Sequence, residues 1–282
     1  MQSQKKYPQK ISCEFFPPKT EPGKMKLANT INELKIVNPS YISVTFGAGG
    51  STQDGTLETV LAVKQQGIDA APHLSCIGSS KASIRAILEQ YKESGINRIV
   101  ALRGDMPSGM HETGEFRYAN ELVSFIRDEY ADHFHLEVAA YPEFHPQADN
   151  AFSDLENFKR KVEAGADAAI TQYFYNIDAY LRFVDDCEKM GLDLPIIPGI
   201  MPITNYVQLA RFSDACGAEL PRWLRQRLAA YGDDIDSLCE YGIEVTSELC
   251  ETLLKVGAPG LHFYTMNRSQ STLTVCRNIG IL

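Results

Sequence analysis

In ISCEFFPPK, residues 11–19, a glutamate interrupts an apolar run. Ionising a carboxylate among Cys13, Phe15 and Phe16 is costly in a buried strand. Either the segment is half exposed or Glu14 is wanted there as an acid. Desolvation by its neighbours is expected to raise its pKa, which suits a general acid at neutral pH. Other polar residues stand at the ends of short apolar runs in the same way: Thr45, His73, Arg103 with Asp105, Tyr141 with Glu143 and His145, Gln172, and Asn267 with Arg268. Each has a structural explanation too. Glu14 fits a buried carboxylate paired with an arginine, and His73 and His145 fit hydrogen-bonded rim residues. A set spread over seven runs, however, suggests a shared mouth.

Other chemistries find little support. FGAGGST (46–52) is glycine-rich but lacks the G-x-x-x-x-G-K-[ST] spacing of a triphosphate loop, and as a backbone cradle it is weak evidence. No H-E-x-x-H or paired cysteines suggest a metal, and no G-x-S-x-G elbow suggests a serine triad. The RGD at 103–105 ends an apolar run, which argues against an adhesion loop. Lys159, Arg160 and Lys161 cluster on a helical stretch, and a solvated face is their default reading.

The elements that must position these residues repeat along the chain. QQGIDAAPHL, ESGINRIVAL, EAGADAAITQ, KMGLDLPIIP and KVGAPGLHFY each pass from a polar helix end through Gly67, Gly95, Gly165, Gly191 or Gly257 into a short apolar run. Glycine after a helix takes the left-handed cap conformation. The apolar runs fit parallel strands covered on both faces. Upstream lie helical faces: Ile84, Ile87, Leu88 and Tyr91; Leu155, Phe158 and Val162; Leu57, Val60 and Leu61. About eight strands follow from this reading: 11–16, 41–46, 70–76, 98–103, 135–141, 168–173, 195–200 and 261–265. Each precedes a helix except the last, which runs into the C-terminal tail. The expected fold is a single-domain α/β chain, a (β/α)8 TIM barrel over residues 1–282, with chemistry at the C-terminal strand ends. An open doubly wound sheet is the alternative, but no G-x-G-x-x-G follows the first strand. Residues 221–242, with the one tryptophan, Trp223, read as a helical insertion of no assigned role.

Composition narrows the class further. With 27 basic and 36 acidic residues the net charge is −9, which argues against nucleic-acid or acidic-membrane binding. Hydrophobic residues make up 44%, enough for a full core, yet no stretch has the length of a membrane span. Seven cysteines without C-x-x-C pairs, and a polar N-terminus, point to reduced thiols in a cytoplasmic protein.

Eight segments in register, EFFPPK, VTFGAGGST, APHLSC, ALRGD, AAYPEFHP, KRKVEAGADAAITQYFY, IIPGIMPITN and HFYTMNR, resemble the bacterial methylenetetrahydrofolate reductases from about Ile11 onward. The resemblance implies a TIM barrel binding FAD non-covalently and taking hydride from NADH, in preference to NADPH. It implies ping-pong reduction of 5,10-methylenetetrahydrofolate to 5-methyltetrahydrofolate for methionine synthesis. It further implies a homo-oligomer, dimer or tetramer, without the regulatory domain of the eukaryotic enzymes. By motif, Glu14 would be the general acid at N10 of the folate, kept protonated by its phenylalanine neighbours. Asp105 would stay ionised between flavin and pterin, so the two acids have opposed tuning. The flavin would be held by Thr45, His73, Arg103, Gly104, Asp105, Ala119, Tyr141, His145, Ala148, Asp154, Asn157, Arg160 and Lys161, against the solvated reading of the last two. Gln172, Gln208, Phe212 and Arg268 would hold the substrate. A different flavin barrel, such as a proline-dehydrogenase-like oxidase, and a barrel without enzymatic activity are the competing readings.

Overall fold

The computed structural model describes residues 1–46, 53–105 and 114–282. Among these, nine parallel strands form one sheet in the order β7-β6-β5-β4-β3-β2-β1-β9-β8. The strands are β1 Lys10–Phe15, β2 Tyr41–Val44, β3 Ala70–Ser75, β4 Arg98–Leu102, β5 His135–Ala140, β6 Ala168–Thr171, β7 Ile196–Ile197, β8 Gly199–Ile200 and β9 Gly260–Tyr264. The two shortest are halves of one line, parted at Pro198, which has no N–H to give. One half pairs with β6 and the other with β9, so the ring closes. The expected eight-stranded barrel is therefore present, its seventh strand in two pieces.

Helices connect the strands: α1 Glu21–Leu34, α2 Gln53–Gln65, α3 Lys81–Glu93, α4 Ala119–Tyr130, α5 Ala151–Glu163, α6 Ile177–Lys189, α7 Tyr206–Cys216, α8 Arg222–Ala230, α9 Ile235–Val256 and α10 Gln270–Asn278. Two expectations need correction. The last strand is followed by α10, not by a tail. The 221–242 insertion is only α8, because α9 starts within it and runs on to the glycine cap at 257. The five joint glycines all take positive φ, between 67° and 110°, as caps of this kind require. On α2, Val63 is fully buried where the expected Leu61 is only half so. FGAGGST lies outside the described residues from Gly47 onward. Among the described residues no helix is long and apolar enough to cross a membrane.

Strand alternation divides the core in two. Cys13, Phe15, Ile42, Val44, Leu74, Ile99, Leu136, Val138, Leu261 and Phe263 point outward and pack under the helices. Inside the ring the apolar filling is smaller: Tyr41, Ala71, Val100 and Ile170, with Leu102 and Tyr264. Ser12 and Glu14 belong to this inner face, because Cys13 and Phe15 take the outer one. The apolar neighbours of Glu14 in sequence are thus not its neighbours in space.

The N-terminal segment seals the floor. Gln4, 1% exposed, donates from Nε2 to Leu194 O at 3.1 Å and accepts from Ile196 N at 2.8 Å. Closure itself depends on β1 meeting β9 in register, Lys10 opposite Gly260 and Glu14 opposite Tyr264. Gly260 sits at φ 135°, and a Cβ there would lie 1.9 Å from Lys10 O. Gly260→Ala is therefore expected to cost more than ~2 kcal/mol, read as a fall in the denaturation midpoint. An unchanged midpoint would show that this seam tolerates a side chain.

Candidate active site

At the C-terminal strand ends a cleft of about 570 Å³ opens over the barrel axis. Its walls include Glu14, Thr45, His73, Asp105, Tyr141, His145, Gln172 and Phe212, eight of the residues singled out from sequence. A second cleft of about 640 Å³ adjoins it, sharing His145 and Gln147. That one is lined by Arg103, Ala119, Ala148, Asp154, Asn157, Arg160 and Lys161. All of the residues expected at the flavin except Gly104 line one or other of these clefts, which together run from the mouth across α5 to the start of α4. Gln208 and Arg268 are both exposed and line neither cleft. Glu143 also turns away, its Oε2 accepting from Glu219 N at 2.7 Å. Burial pushes its carboxyl up to about 7.

Glu14 lies on the floor of the mouth, its side chain 18% exposed. Oε2 is 3.3 Å from His73 Nε2 and 3.7 Å from His262 Nε2. Burial alone would raise its pKa. The charge of His73 and the hydrogen-bonding contribution of His262 outweigh it and hold the carboxyl down at about 2. The expectation that phenylalanines keep Glu14 protonated is thus corrected. Phe15 faces the helices, Phe16 is 44% exposed, and imidazoles, not rings of carbon, surround the acid.

The strand ends are fixed by local bonds. Thr265 Oγ1 donates to Glu14 O at 2.7 Å. Asn267, in the left-handed region at φ 56°, accepts from Phe16 N at 3.0 Å and donates to Phe16 O at 2.9 Å. Its amide group copies a strand neighbour and holds the chain leaving β1. At the end of β4, Gly104 has φ 82° and a Cβ would fall 1.6 Å from Ser75 Oγ. Only glycine fits there, which sends Asp105 out into the cleft.

The second cleft carries both signs of charge, Arg103, Arg160 and Lys161 with Asp149, Asp154 and Glu156. Lys161 donates to Ala139 O at 2.6 Å, and burial lowers its pKa to about 8, with Asp154 opposing and Arg103 adding to the fall. The first turn of α4, with Ala119 and Asn120, also faces the cleft and offers amides to negative charge. Arg103 reaches Gln147. His145 is placed by its own N–H, which donates to Asp154 at 2.9 Å, and by Gln147 N donating to Nδ1 at 3.0 Å. Burial lowers its pKa, so the ring stays neutral, edge-on to Tyr141 at 4.6 Å. The solvated reading holds for Lys159, which pairs with Glu163, but not for Lys161.

Sequence reasoning missed His262, Tyr173 and Tyr264. The signal for His262 was available: in GLHFYT it shares the inward parity of Tyr264, opposite the parity of Phe263. Tyr264, which lines the mouth, donates to Thr171 O at 2.8 Å.

A family model described as methylenetetrahydrofolate reductase matches residues 1–280. A 5,10-methylenetetrahydrofolate reductase of Escherichia coli (strain K12) is 40% identical over 272 residues, covering 96% of this chain and 90% of that protein. "Methylenetetrahydrofolate reductase (NADH) 1" of Arabidopsis thaliana is 39% identical over 288 residues, 96% of this chain but 48% of the plant protein. Among solved structures, a Clostridium thermocellum protein described as binding two copies of 5-methyl-5,6,7,8-tetrahydrofolic acid has a TM-score of 0.67 at 18% identity. It covers 97% of this chain and 94% of its own, a likeness of fold.

The Glu14–His73 contact makes a testable claim. In His73→Ala the largest opposing influence is gone and burial dominates, so the Glu14 pKa should rise above its ordinary value. Isotope-edited infrared titration of the carboxylate band reads this directly. A band that still ionises as in the parent protein would rule out His73 as the group that holds the charge.

Proposed function

The chain belongs to the methylenetetrahydrofolate reductase family, and on that premise we propose how its barrel mouth reduces 5,10-methylenetetrahydrofolate to 5-methyltetrahydrofolate. The observation that carries the assignment of roles is Glu14 on the floor of the mouth, between two imidazoles, at one end of a cation-lined trough. The trough suits FAD: Arg103, Arg160 and Lys161 would meet its phosphates, while Thr45, His73 and Tyr141 would border the ring system over the barrel. Bound there, FAD would accept hydride from NADH and return it to the folate.

The residues of the chain supply the rest. Reduction breaks the bond from the bridging carbon to N10, so N10 must gain a proton as the carbon gains hydride. Glu14 would give that proton. In the open mouth its carboxyl is held low and it is ionised. A folate seated above it would exclude water and strengthen the effect of burial, so the carboxyl would take up a proton more readily. Asp105, exposed at the rim, would face the pterin and favour its developing positive charge. Gln172, whose Oε1 accepts from Tyr173 N at 3.0 Å, would turn its amide N–H₂ to the ligand. Phe212 would stack on an aromatic ring, with Gln208 and Arg268 reaching the distal folate from their exposed positions. One mouth would serve donor and acceptor in turn, the basis for a ping-pong order, with the acid needed only for the acceptor. The seven cysteines, none in a disulfide, agree with a cytoplasmic protein. Homo-oligomeric assembly rests on the family resemblance alone.

Glu14→Gln separates the two halves of this scheme. Folate-driven reoxidation of the flavin should fall by about 10²–10⁴, the usual worth of a general acid. Reduction by NADH, which needs no acid, should persist. Rapid-mixing absorbance of the flavin band reads both, and an equal loss in both halves would remove Glu14 from the acid role. In the same traces Asp105→Asn should make the flavin easier to reduce and slow folate turnover, whereas an unchanged reduction potential would count against its placement.

A further inference from the structure

Each turnover consumes one proton along with one hydride, and Glu14 must be recharged every time. With folate and flavin seated, the mouth side of Glu14 is covered. The other side is not sealed by apolar packing. Below Glu14 a polar wall runs down the barrel interior to its N-terminal face.

The wall begins at His262, fully buried, with Nε2 toward Glu14 at 3.7 Å and Nδ1 at 2.8 Å from Ser12 Oγ. Ser12 and Tyr41 border one small cavity, across which water can link them. Tyr41 Oη donates to Glu137 Oε2 at 2.5 Å. Glu137 is 1% exposed and accepts from Arg98 Nη1 at 2.6 Å. His135 Nε2 lies 3.8 Å from Glu137 Oε1, and its side chain is 39% exposed at the floor. Between these groups is a cavity of about 100 Å³, bordered by Lys10, Ser12, Tyr41, Arg98, His135 and Glu137. At ~30 Å³ per molecule it has room for about three waters, each with several polar partners.

A purely structural reading covers part of this. Arg98, Glu137 and Tyr41 form a buried ion network that ties β2, β4 and β5 together. That reading does not call for the cavity beside the network, which Pro8, Ala168, Pro195, Ile197 and Pro259 also border. Nor does it call for Ser12 and His262 continuing the line upward until an imidazole nitrogen faces Glu14. Elsewhere the same layers are filled by Ala71, Val100 and Ile170.

We propose that this wall is a second proton entry, which recharges Glu14 from the barrel floor while the mouth is occupied. The inference rests on the reductase reading above. A proton entering beside His135 would cross cavity water to Tyr41 and Ser12, then pass to His262 Nδ1. The ring would release a proton from Nε2 to Glu14, which yields it to N10. Hydroxyls and imidazole both donate and accept, so each link runs in either direction and returns to its starting state once reset. The 3.7 Å step is longer than a hydrogen bond. A small rotation of Glu14 away from His73 closes it.

Two variants test the route on the flavin-loaded enzyme. Tyr41→Phe deletes the hydroxyl while keeping the ring stacked 6.1 Å from His262 and 4.5 Å from the Arg98 guanidinium. Ala168→Val fills the cavity from β6, opposite Glu137, without removing a polar group. Rapid mixing with NADH and then with methylenetetrahydrofolate, in H₂O and in D₂O, reads the two halves separately. Melting temperature checks folding. In both variants flavin reduction should match the parent. Folate-driven reoxidation should slow by about tenfold, below the ~10²–10⁴ of losing the acid itself, with a larger solvent isotope effect. Parental reoxidation in either variant, or equal losses in both halves, would overturn the route. If the parent enzyme, once reduced by NADH, were not reoxidised by methylenetetrahydrofolate, the reductase reading would fall, and this route with it.

Discussion

A carboxylate inside a barrel must be paired, and the pairing of Glu14 with His73 and His262 sets the terms for everything around it. Three strands have to deliver three side chains to one point. β1 sits between β2 and β9, and β3 is one place further round, so both imidazoles approach from neighbouring walls. The register of β1 on β9 puts Ser12 opposite His262 and Glu14 opposite Tyr264. A slip of one residue would swap Glu14 with Cys13 and drive the acid into the layer under the helices. Exposure of 18% keeps the cluster in contact with the mouth.

The architecture was legible because its punctuation is chemical. A glycine that must turn left-handed, followed by an apolar run too short for a helix, leaves little choice but βα units. Most of the mouth was legible for a related reason, since polar residues closing apolar strands have few structural excuses. What sequence could not show was direction. Cys13, Phe15 and Phe16 surround Glu14 in the chain, yet alternation sends them elsewhere, and the acid's real neighbours lie 59 and 248 positions away. That is why its pKa was expected to rise and is instead held low. Lys161 was obscured by the opposite effect. One of three adjacent cations, it looked like a solvated face until the geometry of α5 turned it into the cleft.

Charge is distributed against the average of the chain. The protein as a whole is acidic, with a net charge of −9, yet Arg103, Arg160 and Lys161 gather along one trough. Three carboxylates line it as well, Asp149, Asp154 and Glu156, of which Asp154 accepts from His145 N. An anionic ligand would therefore depend on where along the trough its charge falls, beside the cations or beside the carboxylates.

The seam between β1 and β9 also has a meaning for biosynthesis. Ser12 and His262 are separated by 250 positions, and β9 is the last strand made. At a synthesis rate of ~5–20 residues per second, β1 waits on the order of ten to fifty seconds for the neighbour on its outer side. During that interval the nascent sheet has a free edge with Cys13 and Phe15 already present, a template for unwanted strand addition. Proton chemistry and late closure share the same pair of strands, so the acid acquires His262 as a partner only when the barrel is complete.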